Sequence, residues 1–278
     1  MRLRRPPDWL IYIGVTVALL GAVLLGQLVG GPPTARGPPP SPATQSAPRG
    51  ASAPFEPTIT VDVPTTFHPG AGTAFSVSSG GVWLTARHVV EGCARTAIIV
   101  GPGQGVAAEV RIDPRSETAV LITQGGAPAL RMAPYETLKP GMLAFHAGFP
   151  HGHPGQVASR LIGHETLVLR GRRVRRESVL AWAESDEDGP LPKSLAGLSG
   201  APTLDAEGRV IGVTIAQSRH HRQVYTTTPG ALRASLIRAH IEPATGAQAA
   251  PMDPASFSRI SGDLRGDLRI VQVVCMGA

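Results

Sequence analysis

Leu195-Ala-Gly-Leu-Ser-Gly-Ala-Pro-Thr-Leu-Asp-Ala-Glu-Gly-Arg-Val-Ile-Gly-Val213 is the stretch that decides how the rest of this chain is read. Ser199 sits between Gly197 and Gly200. A short apolar run, Pro202–Leu204, follows, then a turn-forming Asp-Ala-Glu-Gly and a longer apolar run, Arg209 to Ala216. Two β-rich runs separated by turn residues predict a hairpin. Glycine two places before the serine permits a tight turn, so the amides of Gly197 and Ser199 can point together at one developing negative charge. A lone Gly-x-Ser-Gly is a weak signal, so its meaning depends on what else the chain carries.

Two further segments supply that context. Thr85-Ala-Arg-His-Val-Val-Glu-Gly-Cys93 follows a hairpin-like stretch, Gly72–Val77 and Gly81–Thr85, and offers His88 where strand gives way to a helical turn. Asp113-Pro-Arg-Ser-Glu-Thr-Ala-Val-Leu-Ile-Thr123 offers Glu117 just ahead of a buried-type strand. Acyl transfer by a serine needs a base within hydrogen-bond reach, a group that orients the base, and donors for the oxyanion. The three segments carry one residue for each role.

Together they resemble the trypsin-like (chymotrypsin-fold) serine proteases, in particular the bacterial HtrA-like and related periplasmic peptidases. The resemblance covers roughly residues 55–240. It implies an all-β fold of two antiparallel six-stranded β-barrels closed by a C-terminal helix. It also implies a catalytic triad of His88, Glu117 and Ser199, with an oxyanion hole made by the amides of Gly197 and Ser199. The chain departs from the family pattern at Glu117, where the family carries aspartate, and at Ala201, where it carries glycine. One extra methylene displaces the carboxylate by about 1.5 Å. Asp113 is therefore an alternative acid, and a triad without a working acid is a third possibility. The runner-up reading is a catalytically inactive scaffold of the same fold that binds an envelope protein or peptide.

The remaining candidates are weaker. Lys193 falls near the base of the primary substrate pocket by family analogy; the competing reading is an exposed lysine on a loop of different length. Cys93 and Cys275 form a candidate disulfide in an oxidising compartment, though sequence does not fix its geometry. His146, His151, His153, His220 and His221 lack the cysteine or carboxylate partners that would complete a zinc site, so no metal is expected. The expected partner is a protein or peptide substrate, with no cofactor. Arg170, Arg172, Arg173, Arg175 and Arg176 crowd one short stretch of a chain whose net charge is +6. They read as a solvated hairpin tip, with anionic lipid or an acidic partner as the alternative and nucleic acid not expected.

Alternation and turn spacing predict six strands for a first barrel: residues 58–63, 72–77, 81–85, 96–100, 106–112 and 118–122. A second set spans 142–147, 157–162, 166–169, 179–183, 202–204, 209–216 and 224–227. Thr228-Pro229 is a helix start, with a hydroxyl cap and proline in the first turn, and a helix is expected over 231–241. The segment 243–278 reads as a tail with a late strand-like run, Leu268 to Val274, too short to be a peptide-binding PDZ domain.

Trp9 to Val29 is almost wholly apolar, and no charge intervenes between Asp8 and Arg36. A helix of that length spans a bilayer core of about 30 Å. With Arg2, Arg4 and Arg5 before it, the N-terminus is expected to stay cytoplasmic. Residues 1–30 thus read as a cytoplasmic stub and transmembrane signal anchor in a bacterial inner membrane. A cleaved signal peptide is the competing reading. Residues 31–54, with eight prolines, read as an extended linker. Residues 55–242 read as the periplasmic protease domain.

Overall fold

The computed structural model describes residues 57–62, 70–134, 138–170, 174–185, 194–218, 220–243 and 250–277. The expected membrane anchor and linker lie outside these residues. Among the described residues, no helix is long and apolar enough to cross a membrane.

Six strands close the first barrel in the order β13-β2-β3-β6-β5-β4. They are β2 (Gly70–Ser78), β3 (Val82–Ala86), β4 (Arg95–Gly101), β5 (Gln104–Ile112), β6 (Thr118–Ile122) and β13 (Ile270–Met276). Alternate side chains point inward, and Ala74, Trp83, Ile98, Leu121, Val271 and Val273 form the inner cluster. A single turn of helix, α1 (Arg87–Val90), leaves the end of β3.

The second sheet has seven strands in the order β1-β8-β7-β10-β11-β12-β9, and β8 also pairs with β9. These are β1 (Thr58–Asp62), β7 (Leu143–Gly148), β8 (Gly155–Arg170), β9 (Val174–Ser185), β10 (Pro202–Leu204), β11 (Val210–Ser218) and β12 (Gln223–Thr227). The β8–β9 pairing turns six of the strands back on themselves and leaves β1 as a parallel addition to β8. Trp182, Leu180, Leu161, Leu198 and Ile211 fill this second core. Trp182 is fully buried, and its indole Nε1 donates to Thr226 Oγ1 at 2.9 Å, as a buried indole requires.

The mostly-β chymotrypsin-like architecture matches the expectation, but three assignments differ. Thr58–Asp62, counted for the first barrel, pairs with β8 instead. Its place in the first barrel is taken by β13, which lies between β2 and β4. Alternation specifies that a segment is a strand but not which neighbour it will meet across some two hundred residues. The runs at 157–162 and 166–169 are one continuous strand, interrupted only by a register shift between Leu161 and Gly163.

Two helices cover the join between the sheets. In α2 (Pro229–Arg238), the Thr228 side chain accepts from the amide of Ala231. The second, α3 (Pro254–Gly266), is a helix that the composition of the tail did not suggest. Its start is nevertheless written locally. Asp253 and Ser256 form a reciprocal capping box across Pro254, the first helical residue. Phe257 of α3 packs against Phe145 of β7 with ring centroids 4.8 Å apart. Arg265 reaches the carbonyl of Gly155 and the side chain of Gln156.

Cys93, just after α1, is joined to Cys275 of β13, with Cα atoms 5.4 Å apart. The bridge fastens the barrel's closing strand to the turn that carries His88. It spans 182 residues of sequence, so it removes much freedom from the unfolded chain. Replacing both cysteines by serine should lower the unfolding free energy by about 2–5 kcal/mol. Denaturant melts of oxidised wild type and the double variant would check this, and superimposable curves would refute it.

Candidate active site

Ser199 lies on the loop between β9 and β10, and that loop is tied directly to the first barrel. The carbonyl of Ser199 accepts from the amide of Thr73 at 2.8 Å. The Thr73 hydroxyl donates to the Gly197 carbonyl at 2.8 Å and accepts from the Phe149 amide at 3.0 Å. The glycines are required here for shape as well as flexibility. Gly197 has φ of 96°, and a Cβ there would lie 2.6 Å from the Phe149 carbonyl oxygen. Gly200 has φ of 90°, and its Cβ would lie 2.0 Å from the Thr73 carbonyl oxygen. Ala201 is fully buried within the second core, which explains how an alanine is accommodated there.

Gly197 and Ser199 both lie in this tight turn. Among the described residues, neither amide donates to a backbone or side-chain acceptor. The carbonyls on either side are used: Ala196 accepts from the His151 amide at 2.6 Å, and Leu195 from the Leu198 amide at 2.8 Å.

His88 stands on α1, two residues beyond Ala86, whose amide lies beside Gly200. Its Nδ1 is 3.2 Å from Glu117 Oε2. Glu117 itself is 1% exposed. Its backbone is fixed at both ends: its amide donates to Glu177 Oε2 at 2.7 Å, and its carbonyl accepts from Arg87 at 2.9 Å. Its other carboxylate oxygen, Oε1, accepts from Arg175 Nη2 at 2.5 Å. So Glu117, rather than Asp113, meets the imidazole. Asp113 instead pairs with Arg238 of α2 through two hydrogen bonds and accepts from the amide of Arg115. Burial works to raise the Asp113 carboxyl, but Arg238, Ser235 and that amide outweigh it and hold it below its usual range.

The remaining sequence candidates fall elsewhere. Lys193 and the acidic run Asp186–Asp188 lie outside the described residues. His146 is completely buried, which pushes its imidazole down to about 3. Its ring nitrogens face Ser159 Oγ at 2.7 Å and Thr214 Oγ1 at 3.1 Å, so it packs as a neutral group. A cavity of about 200 Å3 opens beside Ser199, lined by Ser194, Leu195, Ala216, Gln217 and Val224 among others. Gln217 is immobilised, accepting from the Leu195 amide and donating to Glu184. Thr73, Arg175, Glu177 and Gln217 were not singled out for the site from the sequence. The expected strand at 179–183 starts earlier, at Val174, so Arg175 and Glu177, two residues apart, share a face of β9.

These features define a class before any comparison is made: a two-sheet β fold with a serine turn and a histidine–carboxylate pair at the join. A family profile for the trypsin-like peptidase domain matches residues 72–213, just over half of the chain. The chain belongs to the trypsin-like peptidase domain family. It is similar to a probable periplasmic serine endoprotease, DegP-like, of Halomonas elongata, with 27% identity over 161 residues. That match covers 57% of this chain and 30% of the relative. It is also similar to the putative serine protease HhoB of Synechocystis, with 29% identity over 154 residues, 53% of this chain and 34% of that one. The chain thus spans about a third of the length of the curated relatives it matches. Among solved structures, the active form of the Rv3671c protease from M. tuberculosis aligns with a TM-score of 0.52 and 22% identity. That alignment covers 66% of this chain and 76% of that one, and it supports the fold.

Glu177 gives the site a measurable pH signature. Burial, with Glu117 and Asp113 nearby, pushes its carboxyl from an ordinary 4.5 up to about 6, against the opposing hydrogen bonds from Ser116 and the Glu117 amide. Between those values the native state binds more protons than the unfolded chain. The contribution to stability is therefore present at low pH and is lost as pH rises through about 6. The stability difference between wild type and Glu177→Gln should change by about 1–2 kcal/mol between about pH 4.5 and about pH 7, wild type losing ground as pH rises. Paired melts at about pH 4.5 and about pH 7 would check this, and a pH-independent difference would contradict it.

Proposed function

We propose that this domain is a serine endopeptidase acting through a Ser199–His88–Glu117 triad. Ser199 Oγ attacks the peptide carbonyl while His88, through the ring nitrogen remote from Glu117, takes its proton. The same nitrogen then returns the proton to the departing amine. Glu117 fixes the tautomer that leaves this nitrogen free and stabilises the imidazolium as it forms. The amides of Gly197 and Ser199 receive the oxyanion, and water releases the acyl group by the same steps in reverse roles. No cofactor enters the cycle.

The observation that carries this reading is the contact of 3.2 Å between His88 Nδ1 and Glu117 Oε2. An acid one methylene too long could have turned away to solvent, leaving a scaffold without a base-orienting group. Family membership and the serine endoprotease names of the relatives support the same conclusion. We also propose that residues 1–30 anchor the chain in a bacterial inner membrane, with the protease unit in the periplasm and extending past the expected boundary at residue 242 to include β13. The apolar run Trp9–Val29, the arginines before it and the periplasmic name of a relative support this placement.

The test is labelling of the full chain by a fluorophosphonate probe. Wild type should react, Ser199→Ala should not, and Glu117→Ala should react about 10⁴-fold more slowly. A folded wild type that binds peptide but never labels would make the inactive scaffold the better description.

The cavity beside Ser199 is small, and none of the lining residues named above carries a charge. Cleavage should therefore follow uncharged side chains up to about the size of a phenyl ring, with lysine and arginine disfavoured by on the order of tenfold or more. Mass spectrometry of the products from an unfolded protein substrate reads this directly. A dominance of basic residues before the cut would refute it.

A further inference from the structure

Glutamate has one more side-chain torsion than aspartate, so a fixed backbone alone does not fix its carboxylate. At Glu117 the backbone is already held at both ends, by Glu177 and by the Arg87 amide. What remains free is the carboxylate group itself, and each of its oxygens has a partner. Oε2 faces His88, and Oε1 accepts from Arg175 Nη2 at 2.5 Å. Arg175 is itself restrained, because its Nη1 lies 3.8 Å from Glu91 Oε2 and Glu91 is held by Arg87 Nη2 at 2.6 Å. Arg175 and Glu177 alternate along β9, so one strand of the second sheet presents both to the Ser116–Glu117 segment of the first barrel.

We propose that Arg175 is a positioning residue that makes a glutamate workable as the triad acid. By holding the outer oxygen of Glu117, it keeps the inner oxygen on His88 Nδ1. It also supplies the countercharge that a carboxylate at 1% exposure needs. This rests on the protease reading above. The arginine-rich hairpin is thus only partly a solvated tip: Arg170 and Arg176 are exposed, whereas Arg175 faces the site.

The charged groups around Glu117 come from three directions. Arg87, His88 and Glu91 lie on and just after α1, Arg175 and Glu177 on β9, and Asp113 with its partner Arg238 beside β6. Removing the Arg175 cation leaves the carboxylate to favour a protonated imidazole more strongly. The acid limb of the activity profile should then move to higher pH.

The experiment measures the second-order rate of fluorophosphonate labelling of the full chain from about pH 5 to about pH 9. Wild type, Arg175→Met and Arg175→Lys are compared, each also in a Glu117→Gln background. Arg175→Met should label about ten- to a hundredfold more slowly, the loss of one charge-assisted hydrogen bond, with its acid limb moved to higher pH. Arg175→Lys should recover part of the rate, since an ammonium supplies charge without the planar fork. In the Glu117→Gln background, Arg175→Met should add little. A labelled wild type indifferent to Arg175→Met, or an equal loss in both backgrounds, would overturn the positioning role and leave the protease reading standing. A folded wild type that does not label at all would remove the protease reading and the role of Arg175 with it.

Discussion

A carboxylate buried to 1% exposure beside an imidazole is the constraint on which the rest of the site depends. Moving an ion out of water costs several kcal/mol unless partners replace its hydration. The Glu117 carboxylate finds those partners on two elements, His88 on α1 and Arg175 on β9, while Glu177, also on β9, accepts from its backbone amide. None of these is local in the sequence: His88 lies 29 residues from Glu117, Arg175 58 and Glu177 60. The two sheets must therefore be docked before the acid can be accommodated at all.

The serine turn obeys a similar rule. Thr73 on β2 contacts Gly197, Ser199 and Phe149 through its amide and hydroxyl, and its carbonyl accepts from Thr85 at 2.7 Å. One small residue thus joins the first barrel to the serine turn and to the loop that follows β7. On the other flank, Ser235 and Arg238 of α2 reach Thr118 and Asp113, the residues that bracket Glu117. The join between the sheets is polar at the site and apolar behind it, where Phe75, Phe145, Leu204 and Phe257 form a shared core. Chemistry occupies the wet edge of an interface that hydrophobic burial closes from the rear.

Much of this was legible in the sequence for identifiable reasons. The Ser199 turn, the His88 segment and the strands around them carry local signals: glycines at positive φ, alternation, and a hydroxyl cap at Thr228. What was not legible is long-range. Nothing local distinguishes Thr58–Asp62 as a parallel addition to β8, or Ile270–Met276 as a stave of the first barrel. The arginine cluster looked uniform, yet alternation on β9 sends Arg175 inward and leaves Arg176 exposed. The helix α3 is the exception, since its Asp253-Pro-Ala-Ser256 start is a capping signal overlooked in a segment read by composition.

The placement of β13 has a consequence for timing. The barrel that holds His88 and Glu117 needs residues 270–276 between β2 and β4 before its wall is continuous. A chain emerging from its N-terminus presents histidine, acid and serine long before that strand arrives. Until then β2 and β4 have open edges and the turn behind His88 has no covalent tie. Non-local pairing of this kind forms late. The nascent polypeptide therefore carries His88, Glu117 and Ser199 before the barrel around the first two is closed. The wall beside His88 and Glu117 is therefore closed by the strand of the described residues that is made last.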